Sequence, residues 1–512
     1  LQGPNGTAPN LAGTYDIQSG MVTLPAASFQ PSATAASSDL KATLQVQQMS
    51  VEFGHSTYQD AARNSHPVTQ DMLDNLQSTI NGSPVLADEI KKAATIAPGE
   101  QRAQIESFGF VGPGATAGGT YDGDNRSMNL PPLGLQTRSA SNPQGRFNDT
   151  DMTFVLGHEI QHSFNHPTKT RATADFLRDI ATQAQARGPI HDYTDELRAY
   201  IQAGRDDEAK AEIAGWNALL SREKQSNPNS GLVAMYQTRN DRVLDFVERD
   251  NATRAINPKP GLTFNQDGTL SQTPGNIAAM GHHYFDRPSP NYAQPGQRPV
   301  SIGEHKDHAG NLRPTADYPN YYGTWALEKI VQAEDRANVT FQGARPRVTI
   351  DMASLGLRED LIENEGLDLG RDKTPRPYYD SSQAPPALHH FDHTQDGSVS
   401  PAQDHTYVPA TAAAPAAAPV GPDDPAHPDH AMLEQIRSGV RKIDEGIGKP
   451  YDAMSECVSR SLLAACKDNR EAYPNAGHQS LAENALGRVD HVLMGKTGNI
   501  FAVEGALDDP AH

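Results

Sequence analysis

The segment Val155-Leu-Gly-His158-Glu159-Ile-Gln-His162-Ser-Phe164 places two histidines four residues apart. On a helix that spacing puts both imidazoles on one face, about one turn from each other, so that they can reach a single metal ion. Glu159, next to the first histidine, stands where it can take a proton from an attacking water, which makes it the candidate catalytic base. Residues 155, 156, 160, 161 and 163 are uncharged and Phe164 is apolar, the setting expected of a helix that carries a catalytic zinc. His158 and His162 are therefore read as Zn2+ ligands.

Such a helix needs a start and an end. Asn148-Asp-Thr-Asp151 offers several N-cap residues just before the apolar residues Met152, Phe154, Val155 and Leu156. Asn165-His166-Pro167 is the expected stop, because the residue before a proline is pushed out of the helical region. Gly157 lowers helix propensity but admits a close neighbour beside the first ligand. His166 follows His162 by four residues, yet eight helical residues span about 12 Å, too far for His158 and His166 to share an ion. His166 is expected to be a helix-end residue.

The third ligand must come from elsewhere. Metzincins continue with a glycine three residues after the second histidine and a ligand three residues later; Asn165 and Thr168 occupy those positions. Downstream, Glu208-Ala-Lys-Ala211-Glu212 resembles the Glu-x-x-Ala-(Asp/Asn) helix of the glutamate-ligand zincins. That resemblance implies Glu208 as the third zinc ligand and Glu212, one turn on, as a group that holds a ligand histidine by its second nitrogen. The exchanged assignment, Glu212 on the metal, stays open. Two helical stretches are expected in between, roughly Thr173 to Arg187 and Tyr193 to Ala203.

Other elements have to complete the site. Gly13-Thr-Tyr-Asp16 before Met21-Val-Thr-Leu-Pro25 is echoed by Gly119-Thr-Tyr-Asp122 before Met128-Asn-Leu-Pro131. Each reads as a tight β-hairpin. The second precedes the metal helix, where zincins place the edge strand that pairs with an extended substrate. Gly281-His-His-Tyr284-Phe-Asp286 and Tyr318-Pro-Asn-Tyr-Tyr322-Gly-Thr-Trp325 are aromatic and polar together, as a packed loop or an oxyanion-stabilising group requires.

At 512 residues and 36% apolar content the chain can bury a sizeable core in two or three domains. A net charge of −20 without a basic block argues against nucleic-acid binding. No apolar run is long enough for a membrane span, and the chain does not open with a signal-peptide pattern. Cys457 and Cys466, nine apart in one expected helix, stand about 13 Å from each other, too far for a disulfide, as suits a reducing cytoplasm. The organisation expected is α+β. A zincin-like metallopeptidase domain fills residues 1–371, a mobile Pro/Ala linker 372–423, and a small α+β domain 424–512. Inside the linker, Asp392-His-Thr-Gln-Asp396-Gly397 is similar to a calcium loop. With Thr394 at its third position and Gln403 at its twelfth, it reads better as a polar turn.

The tail runs Asp424-Pro-Ala-His-Pro-Asp429, an amphipathic helix, Ser455-Glu456 at a helix start, Arg488-Val-Asp-His-Val, Phe501-Ala-Val and Asp508-Asp-Pro-Ala511. In that order these segments resemble the C-terminal secretion domain of type IV antibacterial effectors from Xanthomonas and its relatives. The resemblance implies that residues 424–512 dock on the coupling ATPase of the secretion channel and that the N-terminal part carries the toxic activity. It further implies a cognate immunity protein in the producer and delivery into a rival cell, where the periplasm is the expected compartment. The expected activity is zinc-dependent hydrolysis of an amide in a protein or a peptidoglycan stem peptide. The competing readings are a catalytically silent metal-binding scaffold and a protease acting on cytosolic proteins. A glycan or lipid hydrolase is a third, but no Gly-x-Ser-x-Gly elbow is present.

Overall fold

Asn148 opens the helix that carries His158 and His162 as expected, its side chain accepting from the backbone N–H groups of Thr150 and Asp151. A computed structural model of the chain describes residues 10–29, 35–115, 117–303, 305–306, 312–313 and 316–395. The tail at 424–512 and the calcium-like loop from 396 onward lie outside the described residues. The architecture is mixed, with long helices and several small sheets.

Both hairpins read from the repeated Gly-Thr-Tyr-Asp segments form. In the first, β1 (Thr14–Asp16) pairs antiparallel with β2 (Met21–Thr23). Helix α1 (Ala35–Gly54), a short hairpin of β3 (Thr57–Gln59) and β4 (Ser65–Pro67), and helices α2 (Gln70–Gly82) and α3 (Pro84–Ala93) follow. Strands β5 (Ser107–Phe110), β6 (Thr120–Asp122) and β7 (Ser127–Leu130) make a three-stranded sheet in the order β5-β7-β6. The second hairpin therefore leaves β6 on the edge. Val46, Leu73, Leu76, Leu86, Ile90, Phe108 and Met128 build a core over this region, completed by Val155, Leu156 and Ile160 of the helix that carries His158.

Helix α4 (Asp149–Gln185) does not stop at Pro167 but runs through it. The next long helix, α5 (Thr194–Ser226), is separated from it by β8 (Ile190–Asp192). The two intervening stretches expected from sequence are thus the second half of α4 and the first half of α5. A stop signal at proline is local, whereas Phe176, Ile180 and Ala184 beyond it are buried against Leu197, Ile201 and Leu327 in a second core. That burial carries the helix onward. His166 consequently sits in mid-helix, its ring edge-on to Tyr121 at 5.9 Å.

Helix α6 (Leu232–Gln237), the hairpin of β9 (Val247–Arg249) and β10 (Ile256–Pro258), and α7 (Pro274–His283) follow. A two-residue ladder of β11 (His305–Lys306) and β12 (Leu312–Arg313) precedes α8 (Tyr318–Ala337). Then come β13 (Arg347–Ile350), α9 (Met352–Leu355), α10 (Glu359–Glu365), β14 (Arg376–Asp380) and β15 (Ala387–Phe391).

The last three strands join β8 in a sheet ordered β15-β14-β13-β8, which corrects the expected linker at 372–423: its first part is folded. Tyr378, Leu388 and Phe391 are buried, and the Tyr378 and Phe391 rings stack at 4.1 Å. Pro377 lies opposite His390 on the outer pair, beyond the two residues of β14 that pair with β13. A proline is tolerated there because no inner neighbour needs its N–H. The start of the calcium-like loop is packed as well, with the Thr394 hydroxyl donating to the Glu363 carbonyl. No helix among the described residues is long and apolar enough to cross a membrane.

Candidate metal centre

Helices α4 and α5 pack closely beside the first histidine, glycine against glycine. A Cβ built on Gly157 would lie 2.6 Å from the Ala218 Cβ and 3.1 Å from the Ala214 carbonyl oxygen. One built on Gly215 would lie 2.9 Å from the Phe154 carbonyl oxygen. Two facing glycines let the backbones approach this closely, and this sets the reach between the histidines of α4 and the carboxylates of α5.

The Nε2 atoms of His158 and His162 face each other at 3.0 Å. Glu208 Oε2 lies 3.5 Å from the first and 3.9 Å from the second. His158, His162 and Glu208 are the one group of three or more metal-ligating side chains that converges among the described residues. Donors bound to one tetrahedral zinc at about 2.0–2.2 Å lie about 3.3–3.5 Å from each other. The three observed separations bracket that value, so the donor set fits the ion in both chemistry and size.

The remaining polar atoms form a frame around these three. Glu212, fully buried, lies with Oε1 3.1 Å from His158 Nδ1, the nitrogen that faces away from the shared point. His162 Nδ1 stands 3.0 Å from Asp207 Oδ1, and the Asn165 side-chain amide donates to the same oxygen at 2.9 Å. Glu208 Oε1, the oxygen turned away from the histidines, accepts from the Tyr322 hydroxyl at 3.1 Å. Lys169 Nζ donates to Asp207 Oδ2 at 2.8 Å and to the Tyr322 hydroxyl at 3.0 Å.

Charge and burial compete here. Burial disfavours the cation on His158, but the carboxylates of Glu208 and Glu212 outweigh it and lift the imidazole to about 10. Burial likewise opposes ionising Asp207 and Glu208. Even so, His162 and Lys169 hold the Asp207 carboxyl, and His158 and His162 the Glu208 carboxyl, below the usual range. Burial and then the nearby Glu212 and Glu208 carboxylates keep the Tyr284 phenol neutral far above its usual range.

Both aromatic segments contribute to the site. Tyr284, at the end of α7, places its ring 6.1 Å from that of His158 and shares a short hydrogen bond with the Tyr318 hydroxyl. Tyr322 joins Glu208, whereas Trp325 stacks on Tyr200 and His283 bonds to the Pro260 carbonyl. Glu159 is buried beneath the approach to the edge strand: a Cβ built on Gly119 would lie 3.1 Å from its Cγ.

Sequence reasoning passed over Asp207 and Lys169. Asp207 sat in the acidic run Asp206-Asp-Glu208, and Lys169 lay beyond the supposed helix end. Their signal was available in the spacing, since Lys169 follows His162 by seven residues, two turns along the same face.

Residues 423–512 match the family described as X-Tfes, XVIPCD, a C-terminal domain of type IV secretion effectors. The match agrees with the resemblance seen in the tail and leaves residues 1–422 without a family. No curated protein and no solved structure matches the chain.

Proposed function

We propose that the chain is an antibacterial effector delivered by type IV secretion, and that its N-terminal region is a zinc-dependent amide hydrolase with a zincin-like site. The observation that carries the reading is the convergence of His158, His162 and Glu208 from two helices onto one point, with Glu159 adjacent to the first histidine. A zinc ion held there supplies a Lewis acid that polarises an amide carbonyl and acidifies water.

The chain's own groups do the rest. Asp207 holds the His162 ring through Nδ1 and Glu212 stands 3.1 Å from His158 Nδ1, an arrangement that turns both Nε2 atoms toward the metal. Glu159 takes the proton of the attacking water and passes it to the leaving amine. The neutral phenols of Tyr284 and Tyr318 supply hydroxyl donors beside the ligands. Edge strand β6 offers an unpaired backbone to an extended peptide, either a protein segment or a stem peptide of the cell wall. The tail then serves as the address for the coupling ATPase, and an immunity protein protects the producer.

Metal analysis with two variants tests the activity. The purified chain should hold about one zinc, a His158→Ala, His162→Ala double variant should hold none, and Glu159→Gln should keep the ion. Glu159→Gln should also lose about 10²–10⁴-fold in hydrolysis of wall peptides or protein. Near-stoichiometric zinc in the double variant, or normal turnover by Glu159→Gln, would overturn the assignment.

A further inference from the structure

Five side chains close a ring behind the candidate ligands. Starting at His162, it passes through Nδ1 to Asp207 Oδ1 (3.0 Å) and from Asp207 Oδ2 to Lys169 Nζ (2.8 Å). Lys169 Nζ continues to the Tyr322 hydroxyl (3.0 Å), and that hydroxyl to Glu208 Oε1 (3.1 Å). Glu208 Oε2 completes it, 3.9 Å from His162 Nε2. The ring is drawn from three helices, since His162 and Lys169 belong to α4, Asp207 and Glu208 to α5, and Tyr322 to α8.

We infer that Lys169 is a positioning residue that locks the third ligand. A carboxylate has two oxygens and can turn either to an ion. An ammonium has only protons to give, so Lys169 must donate to the Tyr322 oxygen and cannot accept from it. With that lone pair occupied, the phenolic proton of Tyr322 is directed at Glu208 Oε1, and Glu208 Oε2 is left facing the two imidazoles. The same ammonium holds Asp207, which fixes the ring of His162. One cation thus sets the orientation of two ligands on two different helices.

It also accounts for which glutamate is presented. Glu212 has no place in the ring and stands on the far nitrogen of His158. Lys169 lies further from the chemistry than either histidine, and no step of hydrolysis needs it.

Like the activity proposed above, this role requires that the site hold a metal, so the wild-type chain is the reference. Full-length protein loaded with Co2+ or Zn2+ is mixed with excess chelator, and the release rate and the visible Co2+ spectrum are recorded. Lys169→Met should release metal about 10–100-fold faster than wild type and shift the Co2+ bands, since groups behind metal ligands typically carry that much affinity. Lys169→Arg, which keeps the charge and donors, should recover part of the loss. Tyr322→Phe should act in the same direction, and the Lys169→Met, Tyr322→Phe pair should cost less than the sum of the two, because both break one ring.

Wild-type rates and spectra in Lys169→Met, or fully additive losses in the pair, would overturn the role of Lys169 while leaving the metal centre intact. A wild-type chain that binds neither ion would overturn the metal centre itself, and the ring's role with it. Tyr322→Phe deletes a single hydroxyl and keeps the test decisive if Lys169→Met does not fold.

Discussion

Two ring nitrogens 3.0 Å apart have room for one proton between them, and that is the separation of the facing Nε2 atoms of His158 and His162. His162 Nδ1 is hydrogen-bonded to Asp207 and Glu212 Oε1 lies 3.1 Å from His158 Nδ1, so nearby carboxylates favour the charged form of both imidazoles, most clearly that of His158. Its imidazole is lifted to about 10, so at neutral pH the proton is in place and competes with any metal for the same lone pair. The sign follows directly. Lowering the pH favours the protonated pair and weakens metal binding, and raising it strengthens binding by about tenfold per unit until His158 deprotonates near 10. Zinc binding at pH 7 should therefore release about one proton, measurable by calorimetry in buffers of different ionisation enthalpy. An affinity that stays flat between about pH 6 and 8 would show that the pair is already neutral. The juxtaposition of His158 and His162 was legible in the sequence because a one-turn spacing is a local property. The groups behind them were not, because Asp207 and Lys169 gain their meaning only from a contact between α4 and α5.

At the scale of elements, the site depends on how closely those two helices pack. Gly157 should favour alanine by propensity alone, by about 1 kcal/mol. Against that, the added Cβ would lie 2.6 Å from the Ala218 Cβ, which has no flexible end to move away. Overpacking of this kind costs about 1–3 kcal/mol, so the clash wins. Gly157→Ala should lower the stability of the metal-free protein by up to about 2 kcal/mol in urea unfolding, the overpacking cost less the propensity gain. It should also weaken zinc binding, because parting the helices carries His158 away from Glu208. A variant as stable as wild type with unchanged affinity would show that the close approach is incidental. The same elements mark the limits of local reading. The start of α4 was visible in Asn148, but its continuation past Pro167 rests on Phe176, Ile180 and Ala184, whose partners are remote in sequence. Strands β14 and β15 were hidden for a similar reason: the prolines in and around them suggested a linker, and only their pairing with each other and with β13 makes them part of a sheet.

For the molecule as a whole, the last prediction concerns the division of labour along the chain. Both hydrophobic cores of the described residues are built from side chains up to Phe391, and every member of the candidate site lies between Glu159 and Tyr322 apart from His158 itself, which opens it. The family match begins at residue 423. If folding and chemistry belong to the first region and transport to the second, the two can be separated by a stop after residue 422. The truncated chain should unfold at the same urea concentration as the full-length protein, bind zinc with the same stoichiometry and keep its hydrolytic rate. It should fail to reach a neighbouring cell from a producer with an active type IV channel. Residues 423–512 fused to an inert reporter should in turn bind the coupling ATPase. Export and ATPase binding need no substrate, so they test the address separately from the proposed hydrolysis. Normal export of the truncated chain would remove the transport role from the tail, and loss of zinc on truncation would make the tail a structural part of the metal centre.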